Sequence, residues 1–94
     1  MNSNLIMFLS YLGVSPEIID DLYGVCPQMF SYEEEKVVNN IALTLSLGYP
    51  KEDVGELLLA NPNFVFSDYD VLKEKLQNLG DNIEIELKMN PFLI

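Results

Sequence analysis

Residues 47–66 read LGYPKEDVGELLLANPNFVF, and this stretch decides the fold class. Leu47-Gly48 closes an apolar-periodic run, because glycine just past a helix end takes the left-handed conformation without steric cost. Pro50 then stands where a helix begins, since proline in a first turn forfeits no hydrogen bond. From Lys51 to Ala60 the apolar residues return at helical spacing, with Val54 and Leu58 on one face. Pro62 cannot continue a helix, so Asn61-Pro62 ends it. The apolar cluster Phe64-Val65-Phe66 that follows fits a 3₁₀ turn or a tight corner.

The frame recurs along the chain. Leu-Gly stands at 12–13, 47–48 and 79–80; the proline breaks are Cys26-Pro27, Asn61-Pro62 and Asn90-Pro91. Gly13 and Gly48 are 35 residues apart, as are Pro27 and Pro62, while Gly48–Gly80 and Pro62–Pro91 are 32 and 29. Self-similarity at this period marks a helical repeat. We therefore expect an all-α chain, a short α-solenoid of about two and a half tandem repeats, each with two helices and a proline-initiated turn. It is expected as one domain over 1–94: a half-unit 1–13, repeats 14–48 and 49–80, and a partial repeat 81–94. The structural residues are Gly13, Gly48 and Gly80 at helix ends, and Pro27, Pro62 and Pro91 at corners.

Helices are expected over 4–12, 16–25, 32–47, 51–60, 68–79 and 82–89. Ser15 before Pro16 is a helix cap, and Ser31/Glu34, Ser67/Asp70 and Asp81/Glu84 have capping-box spacing. Pro50 replaces the capping serine in the second unit. Eight residues before each proline stand Ile19, Val54 and Ile83, and four before stand Tyr23, Leu58 and Leu87; these form the core face. Five before, Leu22 and Leu57 give way to Glu86, as expected where a terminal unit turns a polar face outward. Ile83-Glu84-Ile85-Glu86-Leu87 alternates like a strand, but the frame around it predicts a helix.

The motif Leu-Gly, apolar helix, x-Pro, apolar corner, second helix, Leu-Gly resembles the mitochondrial transcription termination factor repeat, the mTERF motif, over about 9–94. That resemblance implies triangular helix units stacked into a curved solenoid whose concave face is basic and grips nucleic acid. Shortness and acidity point to a stand-alone bacterial or phage-type relative.

Charge departs from that pattern. Fifteen acids face five lysines, for a net charge of −10, and arginine and histidine are absent. Without histidine the commonest general base and metal ligand is missing, and without arginine there is no planar fork for phosphate. So negative a surface repels nucleic acid and anionic membrane and attracts basic partners. Apolar residues make up 49% of the chain, enough for a folded core. The single cysteine, Cys26, allows no internal disulfide and fits a reducing compartment. The run Leu5–Leu9 lacks the flanks of a signal peptide, and no stretch approaches a membrane span, so the chain reads as cytoplasmic.

Glu17 and Asp21 lie one helical turn apart, and Glu52 and Glu56 repeat the placement 35 residues on. This stripe is either a solvated outer face or a partner-binding surface for a basic protein. Glu33-Glu34-Glu35, Asp68 and Asp70 fit first turns of helices, where the macrodipole favours acids. Cys26 reads as a structural thiol; Tyr11, Tyr32, Tyr49 and Tyr69 fall near helix ends, partly exposed. Phe92-Leu93-Ile94 either folds back as the last corner or forms an apolar tail. No catalytic residues, no metal site and no cofactor are expected.

Three functions compete. The first is a non-catalytic acidic module that binds a basic protein, one version being an inhibitor or decoy for a nucleic-acid-handling partner. The second is nucleic-acid binding inherited with the fold, for which Lys73 and Lys75, with Glu74 between them, form the only close pair of bases. The third is a self-associating structural module; the oligomeric state is left open.

Overall fold

The computed structural model describes residues 4–31 and 33–94. The first three residues of the expected half-unit and Tyr32, the expected start of a helix, lie outside the described residues. Six α-helices follow one another: α1 (Asn4–Tyr11), α2 (Pro16–Val25), α3 (Glu34–Ser46), α4 (Val54–Ala60), α5 (Tyr69–Asn78) and α6 (Ile83–Met89). They agree with the expected spans to within a few residues, and no strand occurs among the described residues. The alternating segment Ile83–Leu87 is helical, with Ile83 and Leu87 buried one turn apart. The frame, and not the local alternation, decides this segment.

The helices form two layers. α2 packs on α4, and α6 lies beside α4; α1, α3 and α5 pack in succession as the second layer. Between them Leu5, Leu9, Leu22, Met29, Val37, Ile41, Leu58, Phe64, Leu72 and Leu87 are nearly or wholly excluded from solvent.

Gly13, Gly48 and Gly80 have φ of 91°, 125° and 63°, the left-handed half of backbone space that glycine enters freely. At the first two the chain ends its helix alike. The Gly13 and Gly48 amides donate to Ser10 and Leu45 carbonyls, and the Val14 and Tyr49 amides reach back to Leu9 and Thr44. This is the Schellman arrangement, and its characteristic apolar contact is supplied by buried Val14 and Tyr49. Tyr49 is therefore not partly exposed as the sequence suggests; as the residue after the glycine it is pulled into the core. Tyr11 and Tyr69 are exposed.

The proline corners are equivalent in detail. Cys26, Asn61 and Asn90 have φ/ψ of −145°/74°, −145°/83° and −148°/96°. Their amides donate to Leu22, Leu57 and Glu86 carbonyls, and a 3₁₀ turn follows each proline, at Pro27–Phe30, Pro62–Phe66 and Pro91–Leu93.

The caps depart from expectation. Ser15 does accept from the Ile18 amide, at 3.3 Å. Ser31 does not cap: its hydroxyl turns back to the Pro27 carbonyl, and α3 starts from Glu33, which sits in the left-handed region at φ 50°. Asp68, not Ser67, caps α5, accepting from the Asp70 amide at 3.1 Å. The Asp81/Glu84 box does not form, because Asp81 lies inside a 3₁₀ turn, Gly80–Asn82, that runs straight into α6. The shorter third unit leaves no room for a separate cap. Before α4, where Pro50 removes the cap, the chain winds through a tighter 3₁₀ turn, Lys51–Asp53.

Two core assignments also change. Tyr23, expected on the buried face, is 45% exposed; its ring tilts onto buried Phe30 at 5.6 Å between centroids and leaves the phenol outside. The terminal face is not uniformly polar: Glu86 is half-buried, whereas Ile85, Met89 and Phe92 are exposed. The final apolar cluster divides, with Ile94 buried and Phe92 outside.

Candidate functional site

The proline at position 16 and the Ser15 cap start α2 so that Ile19 and Leu22 face inward, which turns Glu17 and Asp21 to solvent. In the same way Val54, Leu57 and Leu58 point α4 into the core and leave Glu52 and Glu56 outside. Gly55 brings these two helices together. A Cβ there would stand 3.0 Å from the Ile18 methyl Cγ2 and 3.2 Å from a Val14 methyl, so a larger residue would push these side chains back. Glu17 and Asp21 therefore lie on α2, Glu56 on α4 and Glu52 in the 3₁₀ turn that leads into α4, all exposed. None is in an ion pair among the described residues.

The charge is divided unevenly between the layers. The α2–α4–α6 layer, with its entry turns, holds nine acids (Glu17, Asp20, Asp21, Glu52, Asp53, Glu56, Asp81, Glu84 and Glu86) against Lys51 and Lys88, or −7 of the net −10. Lys88 is consumed within it, donating to Asp53 at 2.7 Å and Glu84 at 2.8 Å and tying α6 to the turn before α4. Hydrogen bonds to those two carboxylates hold its ammonium well above the ordinary lysine range. The second layer carries six acids and three lysines. There Glu34 accepts from the Asn4 amide at 3.0 Å, anchoring the start of α1, and Asp68 serves as a cap. Lys73 and Lys75 lie exposed on α5 without an ion pair among the described residues.

Shallow openings flank these layers. A groove of about 480 Å³ runs along α3 beside Tyr69, lined by Glu33, Glu35, Lys36, Asn39 and Asn40. A cleft of about 180 Å³ between α4 and α6 is lined by Tyr49, Glu56, Leu57, Leu87, Lys88 and Pro91. Burial, and then the surrounding carboxylates, push the Tyr49 hydroxyl above its ordinary pKa, against the opposing pull of Lys88. Among the described residues no group of three acidic, cysteine or histidine side chains is placed to hold a metal ion. Cys26 is buried at its corner.

Several residues that organise this surface are not apparent from the sequence motifs. Asn40 is fully buried, and its amide donates to the carbonyls of Phe64, Val65 and Ser67, fastening the second corner to α3. Thr44, also buried, donates to the Asn40 carbonyl. Asn61 donates to the Pro91 carbonyl at 2.8 Å and joins two consecutive corners. A signal exists: Val37, Asn40, Ile41 and Thr44 form one helical face, so two polar residues interrupt an apolar stripe.

Equivalent glycine turns and equivalent proline corners, alternating between two helix layers, agree with the match of the mTERF family model to residues 1–89. The chain belongs to the mTERF family. No curated protein and no solved structure matches it. mTERF proteins are helical-repeat proteins associated with nucleic acid and are in general non-catalytic binders. This mTERF chain has no arginine, and its fifteen acids face five lysines. Among the described residues no helix is long and apolar enough to cross a membrane.

Proposed function

We propose that this mTERF-family chain is a non-catalytic binding protein whose α2–α4 face engages a basic protein partner. The observation that carries the reading is the juxtaposition of Glu17, Asp21, Glu52 and Glu56. They are exposed, and without ion pairs among the described residues, on α2, on α4 and in the 3₁₀ turn before α4, where α2 and α4 pack closely at Gly55. Like charges held one turn apart on a helix are unfavourable by a few tenths of a kcal/mol per pair. The Glu17/Asp21 pair, with Glu56 and Glu52 on the neighbouring α4 and its entry turn, is relieved when cationic groups dock, which also speeds encounter at low salt. An inhibitor or decoy that occupies the nucleic-acid groove of another protein is one form of this activity.

The test is titration of purified basic proteins, first captured from lysate, against the wild-type chain and a Glu17→Lys/Asp21→Lys/Glu52→Lys/Glu56→Lys variant. Binding should weaken with added salt and be lost in the variant. Binding that survives the four reversals would remove this face from consideration.

Family membership and the exposed Lys73 and Lys75 support a second reading, nucleic-acid association through α5. Phosphate contacts need clustered bases, and α5 supplies two with Glu74 between them. A mobility-shift titration at low salt separates the readings: retardation abolished by Lys73→Ala/Lys75→Ala would favour nucleic acid.

A further inference from the structure

We propose that the acidic face continues into an apolar anchor formed by Ile85, Met89 and Phe92. Together the two dock a cationic segment of a partner protein that carries apolar side chains at one end. This rests on the reading of the α2–α4 face given above and adds the chemistry of the partner.

The repeat register carries the inference. Ten residues before the corner prolines stand Glu17, Glu52 and Asp81, all exposed. Six before stand Asp21, Glu56 and Ile85. Two before stand Val25, Ala60 and Met89; one after stand Gln28, Asn63 and Phe92. Every one of these positions is solvent-exposed in all three units. The register therefore faces outward even where another helix packs alongside, as α4 does on α2. Exposure of Ile85, at 61%, of Met89, at 80%, and of Phe92, at 71%, belongs to this outward face. Ile85 and Met89 are one turn apart on α6 and share a stripe, and Phe92 follows in the adjoining 3₁₀ turn. Six before the proline, where the first two units present the carboxylates of Asp21 and Glu56, the third presents Ile85, and Met89 and Phe92 extend that hydrocarbon.

Charge complementarity selects the occupant. A second copy of this chain would bring another net −10 against the stripe, whereas a cationic segment neutralises it. Neighbouring packed helices sit about 8–10 Å apart, so the line from α2 across α4 to α6 is about 20 Å long. A helix of about 14 residues covers that distance, with its basic part over α2 and α4 and its apolar end on α6.

Two labelled peptides of about 14 residues test this. One has lysines along its length and a Leu-Leu-Phe end; in the other, serines replace that end. Fluorescence anisotropy is read at about 0.15 M salt, where distant surface charges are largely screened. The anchored peptide should bind the wild-type chain at least about tenfold more tightly than its serine counterpart. Ile85→Ser/Met89→Ser should erase that gap without changing the serine peptide's affinity. Asp21→Lys/Glu56→Lys should weaken both peptides, and Glu35→Lys/Asp70→Lys, on the other layer, neither. Equal affinity of the two peptides, or an anchored peptide indifferent to Ile85→Ser/Met89→Ser, would overturn the anchor while leaving the acidic face intact. Charge reversals without effect would overturn the face and the anchor together. A wild-type dimer in sedimentation velocity that Ile85→Ser/Met89→Ser dissociates would assign the patch to self-association and overturn the proposal.

Discussion

Asn40 shows how much one polar side chain can hold in place. From a position with no solvent access, its amide NH2 donates to the Val65 and Ser67 carbonyls at 2.9 and 2.8 Å and also lies 3.4 Å from that of Phe64. Asn40→Leu keeps the volume but leaves buried acceptors unmatched, so unfolding stability should fall by about 2–4 kcal/mol in urea titration. The glycines divide by backbone geometry. At Gly48, with φ 125°, an added Cβ would stand 3.0 Å from an Ile83 methyl, so Gly48→Ala should cost at least about 1 kcal/mol. Gly24, inside α2 with open space around it, should gain about 0.5–1 kcal/mol on Gly24→Ala. Thermal melts of the two variants should move in opposite directions. Tyr49 adds a pH dependence. Its native pKa lies above the ordinary value of 10.0, so the folded state holds the phenolic proton more tightly than the unfolded chain. That contribution is complete below pH 10 and fades as pH rises past it. The melting temperature should decline above that pH, and Tyr49→Phe should lessen the decline.

At the scale of elements, the contact of α2 with α4 depends on the missing side chain at Gly55. Gly55→Val would drive its methyls into Ile18 and Val14, forcing the helices apart at a cost of about 1–3 kcal/mol. The same change should weaken any ligand that bridges Asp21 and Glu56, and a binding titration alongside the melt would show both effects. Lys88 ties α6 to the turn before α4, and its raised pKa places the loss of that link above its ordinary value of 10.5. It therefore reinforces the alkaline decline expected from Tyr49. The caps are legible in the sequence only where a proline fixes the helix start. Ser15-Pro16 caps α2 as its spacing implies, whereas Ser67 yields to Asp68 and α3 starts from Glu33 without a side-chain cap. The preceding 3₁₀ corners consume one or two residues more than the motif spacing allows for.

For the whole molecule the dominant electrostatic effect is self-repulsion. With three ion pairs among the described residues and a net charge of −10, added salt screens more repulsion than attraction. The melting temperature should rise between low and about 0.5 M sodium chloride; a fall would mean that the Lys88 pairs outweigh the diffuse field. The radius of gyration, 12.3 Å, is close to the roughly 12 Å expected of a compact domain of this length. The two layers thus share one core, and unfolding should be a single transition.

The chain breakers alone determined the order of helices. Glycine's freedom at positive φ and proline's missing amide are properties of single residues, independent of what packs nearby. The apolar stripe likewise placed Val54, Leu58, Ile83 and Leu87 inside, and the frame of glycine and proline overruled the strand-like alternation. Only the tertiary structure decided which of the remaining residues matter. Asn40 became a clasp because three carbonyls of a distant corner converge on it, and Tyr23 moved outward because Phe30 offered its ring a seat. Glu17 and Asp21 came to stand on a helix beside Glu56 because α2 and α4 pack together at Gly55. The Asn40 clasp joins residues 24 to 27 positions apart and the Gly55 approach residues 37 and 41 apart, and no local periodicity encodes which partner a side chain will meet across such distances.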